Sequence, residues 1–296
     1  MPSNTRHIFG IDGGGTGCRV SVCTASGICI GQAEGGPANV STDASQALEN
    51  ICTAIQTAAM RASLGEADII AAVAHAGLAG VLTPDQATHI QSALPFKRVR
   101  VSDDRETSTI GALGTSDGVV AAVGTGSFVA ARKDGQTRFF GGWGFQLSDQ
   151  ASGAWLGRKA LEHCVLVHDG LAAQNALSRH IMGAFQGDIV EIVRFAQKAT
   201  PQDYANFAPI VVAAAQDGDV HGKQLLMQGA EYLTTCFKTT RVTDHDKICL
   251  IGGVGRHYLP YLDADIRDQV TPAQGSALDG AVTLAHSLAD HLTDQR

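Results

Sequence analysis

The sequence predicts an α/β protein with two related domains and a cleft between them. Two blocks of the chain, beginning near residues 7 and 119, each start with three strand-like runs and continue into helices. In each block a turn rich in glycine and hydroxyl side chains follows the first strand, at 13–17 and at 124–127. Strands followed by helices in this way are typical of α/β architecture.

The predicted boundaries follow from this weak internal repeat. An N-terminal α/β domain is expected over 1–115 and a C-terminal one, with a helical insert, over 116–275. The last helix, 276–296, is open to assignment to the N-terminal domain.

In the first block, apolar runs predict strands at 7–11, 18–24 and 28–33. Apolar residues at helical spacing predict a helix over 41–61, with Ser41 or Thr42 as N-cap. A buried strand is expected at 69–74 and a helix from Thr83-Pro84, where proline suits the first turn. A strand at 99–102 and a short helix at 106–113 complete the block.

In the second block, strands are predicted at 119–123, 127–132 and 137–140, followed by a helix over 150–167. The stretch 172–232 is expected to be mostly helical, with breaks at Gly187, Pro201, Pro209 and Gly218. A late strand at 248–251 precedes the final helix.

Composition excludes several classes of function. The 296-residue chain is 44% hydrophobic and 17% charged, with a net charge of -7, so no basic footprint for nucleic acid is present. No apolar window approaches the ~20 residues of a membrane span, and the first six residues lack the apolar core of a signal peptide. We expect a cytoplasmic protein. Its seven cysteines are scattered without a Cys-x-x-Cys pair, which disfavours a zinc or iron–sulfur site.

The first glycine-rich turn has the composition of a phosphate-binding loop. Asp12 ends a strand, Gly13, Gly14 and Gly15 follow, and Thr16 adds a hydroxyl. Consecutive glycines let backbone N–H groups approach an anion closely. Asp12 would repel a phosphate, so it would act through Mg²⁺ or the waters of that ion. An ordinary glycine-rich hairpin tip is the alternative.

Two further glycine turns occupy comparable places. Gly124-Thr125-Gly126-Ser127 mirrors the first loop, so the two turns could hold a triphosphate from both sides. Gly252-Gly253, after the late strand, would let an adenine ring lie against the backbone. Plain turns explain either one taken alone.

A pair of carboxylates, Asp103 and Asp104, ends a strand and opens a helix. The carboxyl end of a parallel strand faces the ligand crevice, and phosphoryl transfer to a hydroxyl needs a base for its proton. Asp104 is the predicted base and Asp103 the second choice, and one of the two is expected to cap the helix.

Polar and aromatic residues in two loops are candidates for binding a sugar. Asn39 offers a donor and an acceptor to a hydroxyl pair, although it could simply lie in a turn after Pro37. Trp143, flanked by Gly142 and Gly144, could stack on a pyranose. Asp149 could bind the sugar hydroxyls or merely cap the helix that follows.

Taken in order, these motifs resemble those of the BadF/BadG/BcrA/BcrD ATPase family, in its N-acetylglucosamine kinase-like branch. The shared segments are Asp-Gly-Gly-Gly-Thr, Gly-Pro-x-Asn, Gly-Leu-Ala-Gly at 77–80, Asp104 with the Gly-Ala at 111–112, Gly-Thr-Gly-Ser, Gly-Trp-Gly, Ser-Asp-Gln-x-Ser-Gly-Ala at 148–154 and the late Gly-Gly. The resemblance covers nearly the whole chain. It implies two ribonuclease-H-like domains of the actin/hexokinase ATPase type that close over their substrates.

The resemblance also implies residue roles and cofactors, ATP and Mg²⁺. Nucleotide-binding residues would be Asp12, Gly13, Gly14, Gly15, Thr16, Arg19, Thr125, Gly126, Ala214, Ala215, Gly252 and Gly253. Sugar-binding residues would be Asn39, Asp104, Ser127, Gly142, Trp143, Gly144 and Asp149.

The implied activity is phosphorylation of the 6-hydroxyl of an amino sugar. Many relatives read Gly-Asp-Glu-Gly-Ser where this chain has Gln150 in place of Glu, which removes a charge and favours free glucosamine over N-acetylglucosamine. N-acetylglucosamine kinase activity, or a non-kinase ATPase or sugar-sensing module, are the alternatives. The radical-dehydratase activators of the family carry bridging cysteines, and no suitable pair is visible. Apolar faces in the helical insert make a homodimer conceivable.

Overall fold

The structure is a computed structural model that describes residues 7–240 and 247–294. By its internal contacts the chain forms two compact units. The first contains the chain up to Ser116 together with the residues from Ala273 onward, and the second is Asp117–Pro272. The N-terminal segment considered as a leader, residues 1–6, and the last two residues of the helix expected over 276–296 lie outside the described residues.

The first unit is built on a mixed five-stranded sheet with the order β3-β2-β1-β4-β5. Strands β1, β2 and β3 are antiparallel neighbours, whereas β4 and β5 run parallel to β1. The strands are β1 (Ile8–Gly13), β2 (Cys18–Cys23), β3 (Cys29–Gly35), β4 (Val73–Leu78) and β5 (Arg98–Asp103). The helices are α1 (Ala44–Arg61), α2 (Glu66–Ala71), α3 (Pro84–Ala93), α4 (Asp104–Leu113) and, from the end of the chain, α12 (Ala277–Asp294).

Helices cover both faces of this sheet, which explains why β1 and β4 are buried along their length. Helix α1 buries Ile51, Ile55 and neighbouring alanines in the larger apolar cluster of the unit. Helix α12 approaches β1 so closely that a Cβ on Gly10 would lie 2.5 Å from the side chain of Val282. Small residues therefore set the distance between this helix and the sheet.

Close packing at glycines also joins α12 to α4. A Cβ on Gly111 would lie 1.9 Å from the carbonyl oxygen of Ser276, and a Cβ on Gly280 would lie 1.9 Å from that of Thr107. Side chains at these positions would need the helices to separate. The C-terminal helix thus holds α4, and with it the carboxylates at the start of α4, against the sheet.

The second unit is built on four described strands in the order β8-β7-β6-β9. Strand β6 is antiparallel to β7 and parallel to β9, so the unit repeats the pattern of β1 with β2 and β4. The strands are β6 (Gly118–Val123), β7 (Ser127–Lys133), β8 (Gln136–Gly141) and β9 (Lys247–Ile251). The helices are α5 (Gly153–His168), α6 (Ala176–Ala184), α7 (Ile189–Ala196), α8 (Pro201–Ala205), α9 (Ala208–Gln216), α10 (Val220–Thr239) and α11 (Ala264–Arg267), with a 3₁₀ helix over Gly255–Tyr261.

Three expectations from the sequence are corrected. The strand expected at 69–74 is largely helix α2, and β4 begins only at Val73, because a short apolar run does not distinguish the two states. Helix α1 is capped by Asp43, whose side chain accepts the N–H of Gln46, and not by Ser41 or Thr42. The break expected at Pro209 falls at residues 206–207, because Pro209 itself lies in the first turn of α9.

The α/β prediction is confirmed in both units by their mixed sheets and packed helices. Among residues 7–240 and 247–294, no helix combines the length and the apolar character needed to cross a membrane.

Candidate functional site

The loop between β1 and β2 is anchored through its carbonyl groups. The N–H of Gly14 donates to the carbonyl of Gly17 at 2.9 Å and closes the turn. The carbonyls of Gly13 and Gly14 accept the N–H groups of Ala79 and Ala38, each at 2.8 Å. These bonds tie the loop to the segments that follow β3 and β4.

Two glycines of this loop have open space where a side chain would be. A Cβ on Gly15 would meet no atom within 4 Å, and one on Gly14 would meet only the Gly17 carbonyl at 3.9 Å. Neither has a positive φ. Packing therefore does not require glycine at these positions, whereas a group that must contact the backbone would require it. This loop fits a polyphosphate.

Asp12 and Arg19 face each other across the β1–β2 pair. The guanidinium of Arg19 donates to the Asp12 carboxylate at 2.5 Å, and the two side chains are 50% and 14% exposed. Asp12 therefore lies beside the glycine loop with a positive partner. Its remaining oxygen lone pairs suit a hydrated Mg²⁺, which prefers oxygen ligands and keeps several waters.

The carboxylates at the end of β5 have different surroundings. Asp103 caps α4 by accepting the N–H of Arg105 at 2.8 Å, and it also binds the Arg105 guanidinium at 2.7 Å. The expectation that one of the pair caps the helix is confirmed, and Asp103 is the cap. Asp103 is thus a compensated anion, which leaves Asp104 as the carboxyl without a structural task.

The Asp104 carboxyl lies in an environment that opposes its charge. Burial raises its pKa well above the ordinary value for an aspartate, and the hydrogen bond to Asp103 and the negative charges of Asp103 and Asp12 raise it further. Arg105 opposes these effects only in part. A carboxyl with a raised pKa is well suited to accept and release a proton near neutral pH. The interaction with Asp12 also places Asp104 at the sheet edge that carries the glycine loop.

Asn39, at the same edge, has one of its two polar atoms already engaged. Its Oδ1 accepts the N–H of Ser41 at 2.9 Å and the Ser41 hydroxyl at 2.8 Å. Its amide nitrogen has no protein partner among the described residues and is open to a ligand. The structure thus leaves Asn39 a donor for a sugar oxygen, but not the donor–acceptor pair expected from the sequence.

In the second unit, the turn between β6 and β7 repeats the geometry of the first loop. The N–H of Gly124 donates to the carbonyl of Gly126 at 2.9 Å, and a Cβ on Gly124 would meet nothing within 4 Å. The Thr125 hydroxyl donates to Oε1 of Gln202 at 2.8 Å. A hydroxyl has one hydrogen, so a phosphate that accepted it from Thr125 would take it from Gln202.

Asp149 connects this turn to the loop that carries Trp143. Its carboxylate accepts the backbone N–H groups of Ser127 and Gly144, and the residue is only 7% exposed. Burial raises its pKa, and the two N–H donors partly offset that effect. The alternative that Asp149 caps α5 is excluded, because Ser152 is the cap and accepts the N–H of Trp155.

The backbone around Asp149 is strained and held by many bonds. Asp149 and Ala151 have φ angles of 66° and 69° in the left-handed region, which costs on the order of 1 kcal/mol or more for alanine. The hydroxyls of Ser127 and Tyr258 donate to the carbonyls of Gln150 and Ala151, each at 2.6 Å. Such strain persists only where the surroundings over-determine it, and it is concentrated at functional sites.

The remaining predicted residues have different environments. Trp143 is 69% exposed and its neighbours Gly142 and Gly144 have positive φ, so its loop presents a broad aromatic surface.

In the turn after β9, a Cβ on Gly253 would meet nothing within 4 Å. Ala215 is 1% exposed within the helix packing, whereas Ala214 beside it is partly exposed. The nucleotide role of this pair stays a prediction.

The sequence reasoning missed three residues that support the site. Arg105 compensates Asp103, Gln202 holds the Thr125 hydroxyl and Tyr258 holds the strained Ala151 carbonyl. Arginine two residues after a capping aspartate was a detectable signal. Gln202 and Tyr258 are 77 and 107 residues from their partners, and no local pattern reveals such contacts.

We expect Asp149→Asn to destabilise the second unit by about 1–3 kcal/mol, the cost of leaving a buried polar group unpaired. Asparagine tolerates the left-handed backbone as well as aspartate does, but its NH₂ group would face one of two N–H donors. Urea unfolding followed by circular dichroism measures the change. Asp134→Asn is the matched control, because Asp134 is exposed and also has a positive φ, 50°. Equal stability of the two variants would contradict a stabilising role for the buried Asp149 carboxylate.

Comparisons with known proteins identify similar chains. The glucosamine kinase GspK of Vibrio cholerae is 31% identical over 281 residues, which cover 94% of this chain and 95% of that protein. The N-acetylmuramic acid/N-acetylglucosamine kinase of Clostridium acetobutylicum is 22% identical over 237 residues, which cover 77% of each protein. A crystal structure from Chromobacterium violaceum, provisionally named an N-acetylglucosamine kinase, matches with a TM-score of 0.89 at 31% identity and covers 95% of this chain and 99% of that one.

The structural match and the strand order of the first unit confirm the ribonuclease-H-like, actin/hexokinase-type α/β fold. The family profile matches residues 9–280, which is most of the described chain. The chain therefore belongs to the BadF/BadG/BcrA/BcrD ATPase family.

Proposed function

We propose that this protein transfers the γ-phosphoryl group of ATP to the 6-hydroxyl of an amino sugar, and that the sugar is glucosamine. The observation that carries the proposal is the pair of carboxylates at the end of β5. Asp103 is paired with Arg105, while Asp104 is only partly compensated by that arginine, has a raised pKa and lies near Asp12 and the open glycine loop. A base for an alcohol proton next to a phosphate loop is what phosphoryl transfer to a sugar requires.

The two open glycine turns would bind the polyphosphate of ATP. Gly13 to Thr16 in the first unit and Thr125 with Gly126 in the second would donate N–H and hydroxyl hydrogens to it. Arg19 would supply a positive charge. Gly252, Gly253 and the Ala214–Ala215 turn of α9 would adjoin the nucleotide base.

Mg²⁺ would bind near Asp12 through water and would neutralise charge on the phosphates. Asp12 has the oxygen donors for this role, as the geometry of its pair with Arg19 indicates. The chemistry of this chain's own residues is separate: Asp104 would accept the proton of the 6-hydroxyl as the new P–O bond forms.

The sugar would be held by groups from two loops and one strand end. The amide nitrogen of Asn39 would donate to a hydroxyl, and Trp143 would stack on the pyranose between Gly142 and Gly144. Ser127 and Asp149 would lie at the sugar hydroxyls. Because Asp149 already accepts two backbone N–H groups, it would bind the sugar only through its remaining lone pairs.

The choice of glucosamine has two supports. Gln150 is uncharged where many relatives have glutamate, which alters the polarity beside the sugar, and the protein from Vibrio cholerae is named a glucosamine kinase. Names of two other relatives include N-acetylglucosamine, so the N-acetyl sugar is the second candidate. A cytoplasmic location and action as an enzyme without nucleic-acid or membrane partners complete the proposal.

A substrate panel tests the activity and the choice of sugar together. We expect the highest kcat/KM with glucosamine among glucosamine, N-acetylglucosamine, N-acetylmannosamine and glucose, measured by coupled ADP release with ATP and Mg²⁺. ATP hydrolysis without sugar should be slow, because closure on sugar would protect the phosphoryl group from water. A preference for N-acetylglucosamine would reject glucosamine as the sugar but leave the kinase activity in place. Nucleotide binding without sugar phosphorylation would reject the kinase and favour an ATPase or sensor.

Replacing the base should lower turnover and leave sugar binding nearly intact. We expect Asp104→Asn to reduce kcat by about two to four decades, the contribution of a general base. Calorimetry should detect little change in affinity for the sugar. Asp85→Asn, in the exposed first turn of α3, is a control that should retain full activity. A kcat near that of the unsubstituted protein in Asp104→Asn would refute the assignment.

The pH profile should report the interaction between the two carboxylates. Asp104 must be ionised to accept a proton, so kcat/KM should rise with pH through its pKa, and this limb should lie above the ordinary aspartate value of ~4. Asp103→Asn removes a charge that raises the pKa of Asp104, so it should shift the limb to lower pH. Asparagine is itself a good N-cap, so α4 should remain capped. A limb that stays in place or moves to higher pH would contradict Asp104 as the group observed.

A further inference from the structure

Two cysteines face each other at the end of the β2–β3 hairpin. Cys23, the last residue of β2, pairs with Cys29, the first residue of β3, across antiparallel strands. The register shifts between Val22 and Cys23, and this bulge brings the two cysteines opposite each other. Both thiols are free in the structure.

The hydrogen bonds of the turn hold the two strand ends together. The N–H of Thr24 donates to the carbonyl of Ile28 at 2.9 Å, and the N–H of Ile28 donates to the Thr24 hydroxyl at 3.2 Å. Residues directly opposite each other on antiparallel strands have Cα atoms about 4.5–5.5 Å apart and side chains on the same face. That spacing falls within the range in which a disulfide can form, roughly 4.4–6.8 Å.

Ser21 connects the two sulfur atoms. Its Oγ lies 3.7 Å from the Sγ of Cys23 and 3.4 Å from the Sγ of Cys29. The hydrogen bond from Ser21 favours the thiolate form of Cys23, whose pKa is otherwise raised by burial. Ser21 is itself 3% exposed, so this hydroxyl is shielded from water.

The two cysteines differ in access to solvent. Cys29 is exposed, whereas Cys23 is 3% exposed and packs with Ile8 and Val73 against α12. A reagent from solution can therefore reach Cys29 and not Cys23. This asymmetry is the arrangement of an attacking and a resolving cysteine.

From this geometry we propose that the β2–β3 hairpin is a site of reversible oxidation, in which a peroxide converts Cys29 and Cys23 into a cross-strand disulfide. The Cys29 sulfur attacks the peroxide, an S–O bond forms, the O–O bond breaks, and for hydrogen peroxide one water leaves. The Cys23 sulfur then attacks the Cys29 sulfur of this sulfenic acid, an S–S bond forms, the S–O bond breaks, and a second water leaves with the Cys23 proton. Two thiols are oxidised by two electrons and one peroxide is reduced to two waters.

Trypsin provides a direct measurement, because no lysine or arginine lies between Arg19 and Arg61 and the peptide 20–61 holds Cys23, Cys29 and Cys52. The full-length protein is treated with hydrogen peroxide, alkylated under denaturing conditions and digested. We expect the untreated peptide to carry three alkyl groups. The oxidised peptide should carry a single alkyl group on Cys52, and its mass should be two hydrogens below that of the same singly alkylated peptide with Cys23 and Cys29 as free thiols. Dithiothreitol before alkylation should restore three groups.

Variants separate the proposed steps. Cys29→Ser should leave Cys23 fully alkylated after peroxide, whereas the control Cys52→Ser, in half-buried α1, should still form the disulfide. Ser21→Ala should slow closure several-fold, and a dimedone adduct on Cys29 should accumulate in its place. Oxidation of Cys29 to a sulfinic acid while Cys23 remains alkylated, or a disulfide that persists in Cys29→Ser, would overturn the proposal.

Discussion

Two successive carboxyl groups at the end of β5 have opposite surroundings, and the first unit maintains that difference. Asp103 accepts a backbone N–H and a guanidinium from Arg105, so its charge is compensated where it stands. Asp104 is compensated only in part by Arg105 and is surrounded by protein and by the charges of Asp103 and Asp12. A change of one residue in the start of α4 would exchange these roles. Helix α12 contacts α4 at Gly111, and its own Gly280 contacts Thr107 of α4, so no side chain would fit at either glycine. The position of α4, and with it the surroundings of both carboxyls, thus depends on close packing by a helix from the other end of the chain.

Whereas a helix contact holds α4 in place in the first unit, a buried carboxylate holds two loops in place in the second unit. Strands β7 and β8 separate its glycine turn from its aromatic loop, and the Asp149 carboxylate joins the two by accepting an N–H from each. The segment that carries this buried carboxylate contains two residues, Asp149 and Ala151, with strained left-handed backbone. The hydroxyls of Ser127 and Tyr258 stabilise the strained segment by binding the carbonyls of Gln150 and Ala151. Two loops held by one side chain would move together, so if they bind phosphate and sugar as proposed, occupancy of one would be linked to the position of the other.

Residues that act through their own turn were predictable, and residues that act across the fold were not. The glycine runs beside Asp12 and Thr125 predicted turns directly after strands, and both turns are present, while their role in binding phosphate stays a prediction. The apolar run at 69–74 was misread because Ile69 and its neighbours satisfy a buried strand and a buried helix equally well. Asn39 was located, but the engagement of its Oδ1 by Ser41 depends on side-chain orientation, which spacing does not encode. For the same reason the partners Gln202 and Tyr258 had no local signal.

The ion pair between Asp12 and Arg19 might be thought to remove both residues from nucleotide binding, and magnitudes argue otherwise. Arg19 is half exposed, and an exposed pair contributes only about 0–1 kcal/mol because water and salt screen it. Contacts of a guanidinium with a phosphate are charge-assisted and stronger than the pair they would replace. The pair would therefore cost little to break, and a more strongly charged ligand could take the place of Asp12 at the Arg19 guanidinium. The two glycines beside it, with open space where a side chain would stand, leave room for that exchange.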